Sequence, residues 1–330
     1  MRIQRSRYRG VESIVMESDA LRAVLLPDIG GKMASLLDKE TGREYLWQEK
    51  TNRLRTPEYD TPFEEWAMFG FDEMFPTISE CHYEKKPWQG IKLPDHGEVW
   101  SLAWDYEIHE DLLHMWVYGV RLPYRLDKWI RFTDSRVIRT DYKAANPSNF
   151  GFQFIWAAHP LFNVERGARI KLPQSVKRII NTDGGRERLG GYGEVHAWPK
   201  TATLTGEEYE IDRIYPNVGM NYEKYYVLDA LDEGWAAVYN PETKDAVALS
   251  FPLEKVPYLG LWVNEGGYHG QYNVALEPCT GAFDRVDIAS KCDRISVLPA
   301  KGVHTWHLGL TAGQGAKHVE DGAHAHFPAD

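Results

Sequence analysis

Cysteine is scarce in this 330-residue chain. Its three copies, Cys81, Cys279 and Cys292, are odd in number, far apart and in no CxxC spacing. That excludes a disulfide framework and a zinc knuckle, and it fits a reducing compartment. Long apolar runs are missing too: no stretch approaches the roughly 18 apolar residues of a spanning helix. The charged N-terminus (MRIQRSRYRGVESIVMESDA) has no apolar core behind it, so the chain reads as unexported and cytoplasmic. Positive charge is in deficit, 38 Lys and Arg against 48 Asp and Glu, a net of −10. Such a balance repels phosphate backbones and anionic lipid, which argues against nucleic acid and membrane as partners. Finally, almost nothing carries the i, i+3, i+4, i+7 apolar stripe of an amphipathic helix.

Aromatic residues are plentiful, 13% with 12 Trp and 18 Tyr. Such rings serve antiparallel sheets as cross-strand filler, and they also match the C–H faces of sugar rings. Runs of four to eight residues rich in Val, Ile, Tyr, Phe and Trp recur between turn signals, so the chain reads as all-β. LRAVLLPDIGGKMASLLDKETGREYLW (21–47) predicts two strands around a Pro-Asp-x-Gly-Gly bend, a turn at 38–42 and a third strand. A meander follows from Trp100 to Phe162, more strands from Tyr225 to Leu249, and two more around Ala300 to Gly302. Short connections imply stacked antiparallel sheets without a βαβ series. No composition break marks a boundary, so residues 1–312 read as one domain and 313–330 as a polar, flexible tail. Two long loops, 48–95 and 181–224, are expected to line or cover a site.

Four segments concentrate acid and base residues: FGFDEMFPT (69–77), LPDHGEVWS (93–101), FIWAAHPLF (154–162) and NVALEPCTG (273–281). Glu277 lies in an apolar strand just before a proline, where desolvation raises a carboxyl toward the range useful for a general base. His159 ends an apolar run, and a histidine facing a carboxylate makes a proton donor and acceptor pair. His96 sits in a turn between Asp95 and Gly97. Each has a plainer reading: hydrogen-bonded filler for His159, an exposed turn for His96, a solvated loop pair for Asp72 and Glu73. His82, His96 and His159 lack metal-ligand spacing, so no metal is expected.

Taken together, these segments resemble the aldose 1-epimerase (galactose mutarotase-like) superfamily. The LLPDIGGKMASLLDKETGREYLW string looks like its opening, FDEMFPT its first substrate-side loop, DHGEVW and AAHPLF its two histidine segments. NYEKYYVL (221–228) is similar to its aspartate segment and VALEPCTG to its C-terminal glutamate strand, all in family order from about residue 20 to about 310. The resemblance implies a β-supersandwich whose concave face binds a sugar and epimerises it at the anomeric carbon, without metal or other cofactor. It implies Glu277 as the base on the C1 hydroxyl, His159 as the acid on the ring oxygen, and His96 as a second histidine that holds the substrate. Glu223 falls where galactose mutarotases carry an aspartate, and Lys224 where they carry a histidine. The arginine of the first loop is replaced by Asp72 and Glu73.

The expected substrate-binding residues are therefore Asp72, Glu73, Asp95, Trp100, Trp156, Glu223, Lys224 and Trp262, with a small-molecule carbohydrate as partner and a monomer or homodimer as the assembly. Two competing readings stay open. One is a non-catalytic sugar-binding module. The other is a glycosidase or polysaccharide lyase with carboxyl pairs drawn from Asp72, Glu73, Asp95 and Glu277. Lys224, Arg43, Lys85 and Lys86 are the cations that would serve an anionic sugar if they reached the cleft.

Overall fold

The computed structural model describes residues 1–314 apart from 52, 67, 185–187 and 217–219. Alternating sequences such as VIRTDYKAA fold as expected of half-buried strands: Val137–Ala145 buries every second residue. Two antiparallel sheets dominate, of eleven and eight strands. In the larger, the order runs from Arg2–Tyr8 through Val11–Glu17, Leu21–Leu26, Lys32–Asp38 and Phe71–Met74 to Ala157–Asn163, then Tyr272–Cys279, Tyr258–Glu265, Asn221–Val227, Arg178–Gly184 and Val195–Ala197. The smaller sheet centres on Val303–Gln314 between Asp245–Ser250 and Val137–Ala145, with Arg125–Asp134 beyond. One hydrophobic core joins the sheets, drawing Leu25, Leu36 and Met74 from the first and Met115, Leu126 and Leu308 from the second.

A buried ion pair also spans the two layers. Lys128 of the smaller sheet places its Nζ 2.8 and 3.0 Å from the Glu73 carboxylate, which also accepts the Tyr142 hydroxyl at 3.0 Å. Trp156, expected at the sugar, lies instead in this core, its ring 4.9 Å from Tyr142 and 5.1 Å from Trp306. Strand alternation explains the placement of Trp156: its neighbour Ala157 pairs Cys279 and Met74 in the ladder, and the large ring turns inward.

The middle strands Ala157–Asn163 and Tyr272–Cys279 are buried on both faces. One face looks into the inter-sheet core; the other is roofed by residues from 48–96. That roof is not a plain loop. It holds a 3-10 turn at Phe63–Glu65 and short strands at Cys81–His82 and Lys92–Leu93, while Phe71–Met74 joins the large sheet. Residues 181–224 likewise contain strands Val195–Ala197, Lys200–Ala202 and Glu208–Glu210. Their charged, glycine-rich composition hid pairings only three residues long. Residues 43–47, expected as a strand, make only isolated bridges, Leu37 to Glu44 and Leu46 to Phe162. The strand Val303–Gln314 takes in the first two residues of the expected tail, and 315–330 lie outside the described residues. No helix among the described residues is long and apolar enough to cross a membrane.

Candidate active site

Two cross-strand rows of the large sheet build the floor of a cavity. His159 pairs directly with Asp72. On its other side the ladder pairs Ala157 with Cys279 and Leu161 with Ala275, so His159 and Glu277 occupy matching positions between those two pairs. Glu277 in turn pairs with Gly260, and Gly260 with Tyr226. The first row thus reads Asp72, His159, Glu277, Gly260, Tyr226. Two residues along every strand, hence on the same face, the second row reads Leu161, Ala275, Trp262, Lys224, Asp183. Gly260 matters because it carries no side chain between Glu277 and Tyr226. A Cβ there would lie 3.2 Å from Glu277 Oε2 and 3.5 Å from the Tyr226 ring.

Above these rows the roof contributes Phe63, Ile78, Asp95 and His96, and the turn after Tyr258–Glu265 contributes Tyr268. The space between floor and roof is about 230 Å³ and opens to solvent beside Glu64 and Asp183. His96 is fixed tightly: its ring stacks on Phe63 at 4.2 Å, and its Nδ1 lies 3.0 Å from Asp95 Oδ1. Both His96 and Gly97 have positive φ, 56° and 72°. A Cβ at Gly97 would stand 2.2 Å from the Phe75 carbonyl oxygen, so only glycine lets the turn press its histidine against the sheet. The His159 ring meets His96 at 5.2 Å and Phe63 at 5.4 Å, both edge to face.

Burial governs the titrating groups. It raises the Glu277 carboxyl above its ordinary value, against the pull of the Lys224 ammonium. It drives His159 well below the ordinary imidazole value, helped by repulsion from His96, Lys224 and Lys32. Burial pulls Lys224 down, but Asp284 and Glu277 outweigh it and hold the ammonium above its usual value. Asp95 is held low: burial opposes ionisation, yet His96 and the Phe63 amide, 3.0 Å from Oδ2, prevail. Glu277 Oε1 and His159 Nδ1 are buried and take no hydrogen bond from the protein. Buried polar atoms are ordinarily paired, and both of these belong to side chains that line the cavity.

Of the expected residues, His159, Glu277, His96, Asp95, Lys224 and Trp262 line the cavity together. The others do not. Asp72 shares the floor row but is sealed beside the cavity under the roof, 3.2 Å from the Lys32 ammonium, and desolvation raises it to about 6. Glu73 points through the sheet to Lys128, so the two are opposite faces of one strand rather than a solvated pair. Glu223 likewise alternates away from Lys224 and pairs with Arg188. Trp100 packs edge to face behind Phe63 at 5.0 Å and donates its indole N–H to the Asp95 carbonyl. Sequence reasoning missed Asp284, whose carboxylate accepts the Tyr226 hydroxyl at 2.5 Å and lies 3.7 Å from Lys224. It also missed Asp183, Glu64, Phe63 and Tyr268. The Pro-Phe-Glu-Glu and Phe-Asp turns were the available signals, but neither carries a pattern specific to a site. Glu107, His109 and His114 could together hold a metal ion, but they sit on a hairpin away from the cavity, with His114 bonded to Asp127 at 2.8 Å.

Comparison with known proteins agrees with this architecture. Residues 2–113 match the family described as Domain of unknown function (DUF5107), a minor part of the chain. No curated protein matches. Among solved structures, a candidate aldose 1-epimerase of Klebsiella pneumoniae subsp. pneumoniae superposes with a TM-score of 0.73 at 15% identity, covering 95% of this chain and 82% of that one. A galactose mutarotase-like protein of Clostridium acetobutylicum gives 0.65 at 12% identity over 96% and 99% of the two chains. A galactose mutarotase related enzyme of Lactobacillus acidophilus gives 0.62 at 14% over 92% and 97%. At such identities the likeness concerns architecture, and the chain has the galactose mutarotase-like fold.

Proposed function

We propose that the cavity binds a monosaccharide and interconverts its anomers by opening and reclosing the ring. The observation that carries this reading is the juxtaposition of Glu277 and His159 on neighbouring strands, each with a buried atom awaiting a partner. Mutarotation requires one proton removed from the C1 hydroxyl while another reaches the ring oxygen. Glu277, whose carboxylate form the Lys224 ammonium favours against burial, takes the first. His159 supplies the second, and His96 holds a sugar hydroxyl from the roof. Ring closure on the other face of C1 reverses both transfers, so each group ends the cycle as it began. Trp262 and Phe63 offer flat faces to the C–H edges of the sugar.

Positioned acids and bases each contribute about 10²–10⁴-fold. Glu277→Gln and His159→Ala are therefore each expected to slow anomer exchange by at least about 10²-fold. Saturation-transfer NMR or polarimetry reads the exchange, and circular dichroism verifies the fold. Unchanged rates in both variants would reject the assignment. Calorimetric binding of a sugar with no exchange at C1 would leave a binding module instead.

A further inference from the structure

We infer that the preferred ligand is a monosaccharide bearing an ammonium group, an amino sugar, rather than a neutral, phosphorylated or acidic one. The inference rests on the sugar-cavity reading above and adds the substrate class. Five carboxylates line the cavity: Glu64, Asp95, Asp183, Glu277 and Asp284. Among the described residues the lining holds one ammonium, Lys224, and that is already shared between Glu277 and Asp284. Burial disfavours the charged form of His159. Even with both histidines counted as cations, the described lining carries a formal −2. A cleft walled by one sign of charge focuses its field on the interior and concentrates ligands of the other sign.

Among the described residues, the other cations that would welcome a phosphate or carboxylate lie outside the lining. Arg43 forks onto Glu165 at 2.7 and 2.9 Å and lies 3.4 Å from Asp245. Lys85 and Lys86 are exposed and contribute nothing to the lining. Lys32 is paired with Asp72 under the roof, outside the lining. An acidic lining alone could be a solvated surface, but this one includes the buried side chains of Glu277 and His159, whose Oε1 and Nδ1 have no partner in the protein, and unpaired polar groups on a cavity wall suit a polar ligand. Aromatic faces add to the argument. Trp262 meets Tyr268 edge to face at 5.4 Å beside the exposed carboxylates of Glu64 and Asp183, and π faces of this kind attract ammonium groups.

The test uses the full chain with D-glucosamine, N-acetyl-D-glucosamine, D-glucose and D-glucose 6-phosphate, and with the same four in the galacto series. Calorimetry reads affinity and saturation-transfer NMR reads exchange at C1. In one series the amino sugar should bind at least about tenfold more tightly than its neutral and N-acetylated counterparts, and the margin should shrink as salt is added. Asp183→Asn combined with Asp284→Asn should cut that affinity ratio several-fold, a readout that general damage to the site would not produce. Equal or tighter binding of the neutral or phosphorylated sugar overturns the inference while leaving an epimerase intact wherever exchange is seen. A ratio unmoved by the double variant also overturns it. Amino-sugar binding without exchange supports the inference and removes the epimerase. Failure of every sugar to bind overturns both.

Discussion

Lys224 and Glu277 form a buried ion pair at the bottom of the cavity, and their balance with His159 sets the expected pH response. The competent form needs Glu277 ionised and His159 protonated. Burial raises the first and lowers the second, so both groups are satisfied only on the acid side of neutrality. The rate of exchange is therefore predicted to be bell-shaped in pH with its maximum below about 6.5, the ordinary imidazole value. Lys224→Met removes the cation that favours the carboxylate, so the acid limb should move to higher pH and the maximum should fall. A pH–rate profile of both proteins decides this, and an unmoved acid limb would show that Glu277 does not titrate on that limb. At this scale much of the site was legible. His159 and Glu277 stood out as ionisable residues inside apolar runs, where burial without a role is costly. The adjacent pairs Asp72 and Glu73, and Glu223 and Lys224, were not resolvable, because a one-residue change of register exchanges the two faces of a strand.

The roof element from Phe63 to Gly97 is anchored by a turn whose backbone only glycine fits. Gly97→Ala introduces a Cβ against the Phe75 carbonyl at a positive φ. A cost of about 1–3 kcal/mol is expected for such strain, read as a lowered midpoint in urea unfolding. Because His96 is the preceding residue, sugar affinity should weaken as well, by calorimetry, even where the variant remains folded. A variant as stable as the parent would mean that the turn relaxes freely. The strands with strict alternation, Val137–Ala145 foremost, were readable element by element. The roof was not, since its order comes from contacts with residues far along the chain, such as the Ile78 and Ser79 amides on the Asp284 carbonyl. The six-residue helix Val286–Lys291 also escaped, being too short to show a period.

Across the whole molecule, the two sheets are held by apolar packing and by the Lys128 to Glu73 bridge. Removing one partner of a buried pair strands the other charge in a dry interior. Lys128→Met should accordingly cost about 3–5 kcal/mol, measured by equilibrium unfolding. A change below about 1 kcal/mol would mean that Tyr142 and water compensate for the lost cation. The stacked antiparallel plan was visible in the sequence through short turns and the lack of helical stripes. Which segments meet across the layers was not, because pairs such as Lys128 and Glu73 are 55 residues apart with no local pattern joining them.

The placement of His159 and Glu277 on hydrogen-bonded neighbours has a further consequence. Side chains facing each other on adjacent strands stand about 5 Å apart at their Cβ atoms, a gauge fixed by the peptide ladder itself. No hinge can widen or narrow it. Tailoring to a new sugar is thus left to the covering loops, which can be rewoven by substitution while the spacing of the proton-handling groups stays that of the fabric beneath.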